Sequence, residues 1–349
     1  MAVFNSPDFD NHEEVVFCRD PRTGLSAIIA VHDTTLGAGL GGCRFWPYQD
    51  EEAALTDALR LSRGMTFKAA LAGTGRGGGK SVIIGDPRRI ATPDLFRAMG
   101  RFVERLGGSY IIAEDVGTSP ADMAFVAEET RFVAGLEGES GDPSPATALG
   151  VFTGIQAALK HQRGDDELKG VTVAVQGLGH VGWNLCNHLH EAGARLVVSD
   201  MRDALMTAAT RSFGATAVGP DAIHLVRADV FAPCALGAGL NDETIHALKV
   251  SIVAGAANNQ LAEARHDDML AERGILYAPD YVINAGGIIN IAHEGPDYDQ
   301  DRAFAHVTRI GTTLTDLFRR ADQEGLPTGA MADRMATEVL RAAAKRMAA

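Results

Sequence analysis

Two short stretches carry residue types able to do chemistry. Gly75-Arg76-Gly77-Gly78-Gly79-Lys80-Ser81 sets a lysine behind three consecutive glycines, and Gln176-Gly177-Leu178-Gly179-His180-Val181-Gly182 is a complete GxGxxG. The first resembles a phosphate-binding P-loop, but Thr74 stands where that motif requires its leading glycine. It also runs into Ser81-Val82-Ile83-Ile84, a strand pattern, where a P-loop runs into a helix. An ATP-binding reading fails on both counts. A lysine closely packed by glycine backbone, with Lys68 of Met65-Thr66-Phe67-Lys68 as a second lysine nearby in sequence, can instead act as a general base near neutral pH. A lysine that keeps its charge can bind a substrate carboxylate.

The GxGxxG is weak evidence alone and stronger in its setting. The strand pattern Val171 to Val175 precedes it, a helix pattern follows, and a second strand pattern ends at Asp200. Glycines there allow a tight turn and close backbone approach, so a pyrophosphate can sit on the helix N-terminus. Asp200 can accept hydrogen bonds from adenosine ribose hydroxyls, whereas a 2′-phosphate would face a like charge, so NAD is expected over NADP, with Arg202 the residue that could soften this choice. The alternative role for Asp200 is capping the turn into the next helix.

The elements that must position these residues follow the same logic. A helix is expected from about Glu51 to Met65, with Ala54, Leu55, Ala58, Leu59 and Leu61 facing a core, and the glycine run is expected as a loop entering a strand. Thr92-Pro93-Asp94 starts a helix that Gly107-Gly108 stops. The strand Tyr110 to Ala113 ends in Glu114-Asp115, which places Asp115 just past a strand's C-terminal edge, where open α/β sheets bind ligands. Gly-, Ser- and Pro-rich residues 135 to 150 mark a domain connection, and from there to about residue 290 strand and helix patterns alternate, implying a parallel sheet.

Composition excludes several classes. The 349 residues are 46% hydrophobic and 22% charged, which suits about two globular domains. A net charge of -13 argues against a nucleic-acid partner. No apolar run approaches the roughly 20 residues of a membrane span, and the acidic N-terminus lacks a signal-like core, so a cytoplasmic location is expected. The four cysteines form no CxxC pair, and His188 and His190 point to different helix faces, so no metal is expected.

The runs GLGGCRFWPY, GGGKS, AEDVGTS, PSPATA, GLGHVG, FAPCALG, GAANNQL and YAPDYVINAGGIIN together resemble the Glu/Leu/Phe/Val dehydrogenase superfamily, nearest its leucine dehydrogenase branch. The resemblance spans nearly the whole chain. It implies an α/β fold of two domains: a mixed-sheet substrate and oligomerisation domain over residues 1–136, onto which C-terminal helices from about 330 to 349 pack back, and a Rossmann-type doubly wound NAD-binding domain over 137–329. It further implies that Lys68 binds the substrate carboxylate, that Lys80 activates water, and that Asp115 shuttles protons to and from the amine. Gly41 and Gly42 would line the substrate site, and Thr147, Asn258 and Asn284 would lie at the nicotinamide end.

By the same resemblance Leu40, Ala113, Ile288 and Ile291 surround the substrate side chain, with no lysine or serine for a second carboxylate. The expected activity is reversible, NAD-dependent deamination of leucine, valine or isoleucine to a 2-oxo acid and ammonia, by a homo-oligomer, octameric or dimeric. Phenylalanine dehydrogenase is the rival activity, and a catalytically inactive dinucleotide-binding regulatory protein is the rival from another class.

Overall fold

Five strands build the first sheet of the computed structural model, which describes residues 3–136, 140–235 and 237–348. They are β1 (Glu14–Asp20), β2 (Leu25–Asp33), β3 (Gly39–Trp46), β4 (Gly77–Ile84) and β5 (Tyr110–Glu114), in spatial order β1-β2-β4-β3-β5. β2 runs antiparallel to both β1 and β4, while β3 is parallel to β4 and β5, so the sheet is mixed. Four helices belong with it: α1 (Glu51–Ala72), α2 (Pro87–Ile90), α3 (Pro93–Arg105) and α4 (Pro120–Ala127). Strand alternation sends Ile28, Ala30 and Val82 to one face, against Ala54, Leu55, Ala58 and Leu59 of α1. Ile29, Val31 and Ile83 go to the other, against Leu95, Phe96 and Met99 of α3 and Met123 and Val126 of α4.

Two local expectations are corrected here. The glycine run is the first half of β4, where a loop was expected. A Cβ would fall 2.1 Å from the Asp33 carbonyl oxygen at Gly77, 2.1 Å from the Thr66 nitrogen at Gly78 and 2.5 Å from the Tyr110 ring at Gly79. These glycines thus let neighbouring backbone touch a buried strand, which a loop pattern conceals. Helix α1 runs past Met65 to Ala72, because Thr66, Phe67, Ala69 and Ala70 still find core to bury in, and it stops at left-handed Gly73 (φ 64°). Lys68 is therefore a helical residue.

The second sheet has six strands, all parallel: β6 (Thr172–Gln176), β7 (Arg195–Ser199), β8 (Thr216–Ala217), β9 (Val230–Pro233), β10 (Ile252–Val253) and β11 (Leu276–Tyr277). Their order, β11-β10-β9-β6-β7-β8, is the doubly wound one, reversing direction between β6 and β9. Among the described residues ten further α-helices follow: α5 (Ser144–Arg163), α6 (His180–Glu191), α7 (Asp203–Phe213), α8 (Asp242–Ala247), α9 (Arg265–Glu272), α10 (Asp280–Ile283), α11 (Gly286–Ala292), α12 (Gln300–Val307), α13 (Arg309–Glu324) and α14 (Thr328–Met347). Among the described residues no helix is long and apolar enough to cross a membrane.

The chain divides into one unit of residues 1–141, 291–298 and 336–349, and another of 142–290 and 299–335. The division comes a few residues later than 136/137; Glu137 to Glu139, where that expected boundary begins, lie outside the described residues. Ser140 stays with the first unit through its hydroxyl, which donates to Glu294, a carboxylate that also accepts from the Gly135 N–H. At the C-terminus residues 336–349 group with the first unit and 330–335 with the second. The Ala330 N–H donates to Asp267 at 3.1 Å and the Tyr281 hydroxyl donates to Asp333 at 2.7 Å, which fastens the start of α14 there.

Candidate active site

Asp115 follows β5, whose Ala113 is the register partner of Gly42 on β3. A Cβ on Gly42 would lie 2.7 Å from Asp115 Cβ and 2.5 Å from the Glu114 carbonyl oxygen, so glycine at 42 is what lets the chain turn there. The Asp115 N–H donates to Thr118 Oγ1 at 2.9 Å and Thr118 Oγ1 donates to the Cys43 carbonyl at 3.0 Å, fixing the turn to β3. Lys80, 6% exposed, reaches across from β4, and its Nζ donates to Asp115 Oδ2 at 2.5 Å. Arg44 Nε donates to the same oxygen at 3.3 Å. Burial works to raise the Asp115 pKa, but the adjacent Lys80 and Arg44 charges outweigh it and hold the carboxyl below its ordinary value.

These groups share the α1 side of the sheet. Gly78 and Lys80 alternate with Gly79, and a Cβ on Gly78 would strike Thr66 of α1. Arg44 bonds Asp57 of α1, and Leu40 and Gly42 alternate onto that same side of β3. Leu40 and Ala113 are buried. Gly41 points the other way, where a Cβ would fall 1.8 Å from the Gly79 carbonyl oxygen. Half-buried Lys68 lies two residues beyond Thr66, so the tight Thr66–Gly78 contact brings the helix carrying one lysine onto the strand carrying the other. Of the two expected substrate-side isoleucines, both on α11, buried Ile288 groups with the second unit and half-buried Ile291 with the first.

In the second unit the GxGxxG lies at the C-terminal end of β6, at the point where strand order reverses. Gly177 adopts φ 98°, closed to most side chains. A Cβ on Gly182 would meet the Gly177 carbonyl oxygen at 2.0 Å, so α6 packs directly on the turn, whereas one on Gly179 would meet nothing within 4 Å. Gly179 caps α6 with no side-chain acceptor for its first N–H groups, which begin at exposed His180 and half-buried Val181. Open space, free dipole and glycine cap fit a pyrophosphate. Asp200 accepts from the Leu178 N–H at 2.7 Å on one oxygen, and from the Arg202 N–H at 2.9 Å and Nε at 3.1 Å on the other. It therefore ties β7 to the glycine loop, and partial burial, which would raise its pKa, is outweighed by the Arg202 charge and these donors.

Residues 12–132 match the family model described as the Glu/Leu/Phe/Val dehydrogenase dimerisation domain, and residues 138–212 and 207–308 match that of Glutamate/Leucine/Phenylalanine/Valine dehydrogenase. The chain belongs to the Glu/Leu/Phe/Val dehydrogenase family. It is 52% identical over 341 residues to leucine dehydrogenase of Geobacillus stearothermophilus, covering 97% of this chain and 93% of that one. It is 48% identical over 343 residues to valine dehydrogenase of Streptomyces virginiae, covering 97% and 96%. The crystal structure of L-tryptophan dehydrogenase from Nostoc punctiforme superimposes with a TM-score of 0.86 at 49% identity, covering 95% of this chain and 97% of that one.

In this family member Asn258 and Asn284 meet although 26 residues apart in sequence, and Thr147 lies beside Gly287 of α11. Asn284 Nδ2 donates to Asn258 Oδ1 at 2.8 Å, and a Cβ on Gly287 would touch Thr147 Oγ1 at 3.0 Å. Asn284 Oδ1 is buried without a hydrogen-bond partner. Sequence reasoning missed Arg44, Asp57 and Tyr48. The signal was available: alternation in Leu40-Gly41-Gly42-Cys43-Arg44 puts an arginine on the same face as a buried leucine, which calls for carboxylates. Asp242, Glu263 and His266 also gather, with ligand atoms within 4.8 Å of one another, but Arg265 pairs with both carboxylates. The Glu263 N–H donates to His266 Nδ1, so in the neutral ring the nitrogen facing the acids carries the proton and has no lone pair to offer a metal.

Proposed function

We propose that this chain converts leucine, valine or isoleucine, with water and NAD, to the 2-oxo acid, ammonium, NADH and a proton, reversibly. The observation that carries the reading is the 2.5 Å contact between Lys80 Nζ and Asp115 Oδ2, on the sheet face that also presents Leu40 and Ala113. An ammonium must lose a proton before hydride can leave Cα, and Asp115, kept ionised by its neighbours, can accept it. When bound, the nicotinamide supplies the hydride acceptor. Lys80, once it has passed its own proton on, takes one from water as the oxygen adds to the substrate iminium carbon; Asp115 returns a proton to nitrogen, and the carbinolamine expels ammonia as its hydroxyl proton is lost to solvent. Lys68 holds the substrate carboxylate throughout.

The second unit would hold the dinucleotide, with Gly177 to Gly182 at the pyrophosphate, Asp200 at the ribose, Arg202 beside it, and Thr147, Asn258 and Asn284 at the nicotinamide end. The Ala113 methyl and β-branched Ile288 and Ile291 favour aliphatic substrates, though single methylenes discriminate by only about 1–3 kcal/mol. The match of residues 12–132 to a dimerisation domain supports a homo-oligomer, which light scattering measures.

The test is NADH formation at alkaline pH with L-leucine, L-valine, L-isoleucine, L-phenylalanine and L-glutamate, for the wild type and Lys80→Ala. Activity on the aliphatic substrates that disappears in the variant is expected. Phenylalanine as the best substrate would overturn the pocket argument, and NAD binding without reduction by any of the five would leave a regulatory dinucleotide-binding protein.

A further inference from the structure

Two cations converge on one oxygen of Asp115. Lys80 Nζ and Arg44 Nε both donate to Oδ2, at 2.5 and 3.3 Å, and neither donates to Oδ1. Arg44 is itself anchored, since its Nη1 donates to both oxygens of Asp57, at 2.9 and 3.3 Å. The Tyr48 hydroxyl donates to Asp57 Oδ2 at 2.6 Å, and burial together with that hydrogen bond pushes the phenol well above its ordinary pKa, so it remains a donor. One planar guanidinium therefore spans from a carboxylate on α1 to a carboxylate beyond β5, a reach and fork that an ammonium cannot reproduce.

We infer that Arg44 is a positioning residue for proton transfer: anchored by Asp57 and Tyr48, it clamps Oδ2 of Asp115 jointly with Lys80, so that Oδ1 is the oxygen that exchanges the proton of the substrate amine. Asp115 then works with two differentiated oxygens, Oδ2 toward Lys80 and Oδ1 toward the amine. This rests on Asp115 being the proton shuttle. The charged and titratable groups around it include Lys80 from β4, Arg44 from β3, Glu114 just before it on β5, and behind Arg44 the Asp57 of α1 and Tyr48. Buried Cys43 and Tyr110 also feel its charge.

The test compares Arg44→Met, Arg44→Lys, Asp57→Asn and Asp115→Asn in the full chain, reading kcat and KM for L-leucine across pH. Arg44→Met should lower kcat by about 30-fold through misplacement of the carboxylate, with KM changed less than about 3-fold. It should also move the acid limb of the kcat profile to higher pH, because a positive neighbour is gone. Asp57→Asn removes a negative neighbour while loosening the anchor, so kcat should fall by about 5-fold and the limb should move to lower pH. Arg44→Lys should return the limb toward the wild-type position without restoring kcat.

Wild-type kcat in Arg44→Met, or limbs displaced in the same direction by Arg44→Met and Asp57→Asn, would overturn the inference. If Arg44→Met does not fold, Asp57→Asn decides alone: an unchanged profile refutes the clamp. Full activity in Asp115→Asn would instead overturn the proposed function.

Discussion

The glycines beside Lys80 and Asp115 and the glycine that caps α6 do opposite work. In the first unit, Gly41, Gly42 and Gly77 to Gly79 close space: a Cβ at any of them would strike a neighbouring atom, and the contact they permit brings Lys80 and Asp115 together. In the second, Gly182 closes space against the Gly177 carbonyl in the same way, whereas Gly179 keeps it open. The two units also treat buried carboxyls differently. Asp115 has two cations and is held below its ordinary pKa, whereas Asp267, buried with only the first N–H groups of α14 and with Asp268 and Asp333 nearby, is pushed up to about 6. A site made of side chains is thus limited by folding, and a site made of backbone is limited by what can approach it.

The largest expected effect tests the closed half of this contrast. Gly41→Ala puts a Cβ 1.8 Å from a backbone oxygen that cannot yield, and the cost should exceed about 3 kcal/mol, the upper end of ordinary overpacking. A thermal melt of the variant with a wild-type midpoint would show that β3 and β4 part readily enough to admit a Cβ at position 41.

Next comes the contrast between the carboxyls, with signs that can be worked out. Asp115, with a depressed folded-state pKa, contributes stability above its unfolded value and loses it as pH falls through the folded one. Asp267 is the reverse: its contribution is fully present below about 3.8 and is lost as pH rises through about 6, amounting to about 3 kcal/mol by neutral pH. Asp267→Asn keeps an acceptor for the Ala330 N–H, so urea denaturation at pH 4.5 and 7.5 should show a smaller loss on raising pH than in wild type. Equal losses would mean that Asp267 titrates as an ordinary surface acid.

A smaller effect probes the open half. Gly179→Ala should leave the melting temperature unchanged and weaken NADH binding by about tenfold, or about 1.4 kcal/mol, as read by nucleotide fluorescence titration. Unaltered affinity would remove the loop from the dinucleotide site. The mildest change is Ala113→Gly, which widens the substrate face without touching its charges. It should raise the phenylalanine-to-leucine ratio of kcat/KM by about tenfold, and a ratio that moves toward leucine would place Ala113 away from the substrate side chain.

The glycine turn between β6 and α6, the strand ending at Asp115 and the helix capped by Thr92 were legible in the sequence, because each depends on neighbours a few residues away: a glycine turn after a strand, a cap before a helix, an acid after an apolar run. So was the mixed α/β class, which follows from alternation and the family resemblance. The sequence could not say that three glycines ahead of Lys80 form a buried strand. That depends on Asp33, Thr66 and Tyr110 pressing against them from three other elements. Nor could it join Lys80 to Asp115 across 35 residues, set Arg44 between Asp57 and Asp115, or assign residues 291–298 to the first unit. Local propensity determines which turns and caps the chain can make; which charges meet is decided by strand order and helix packing, and those are properties of the assembled fold.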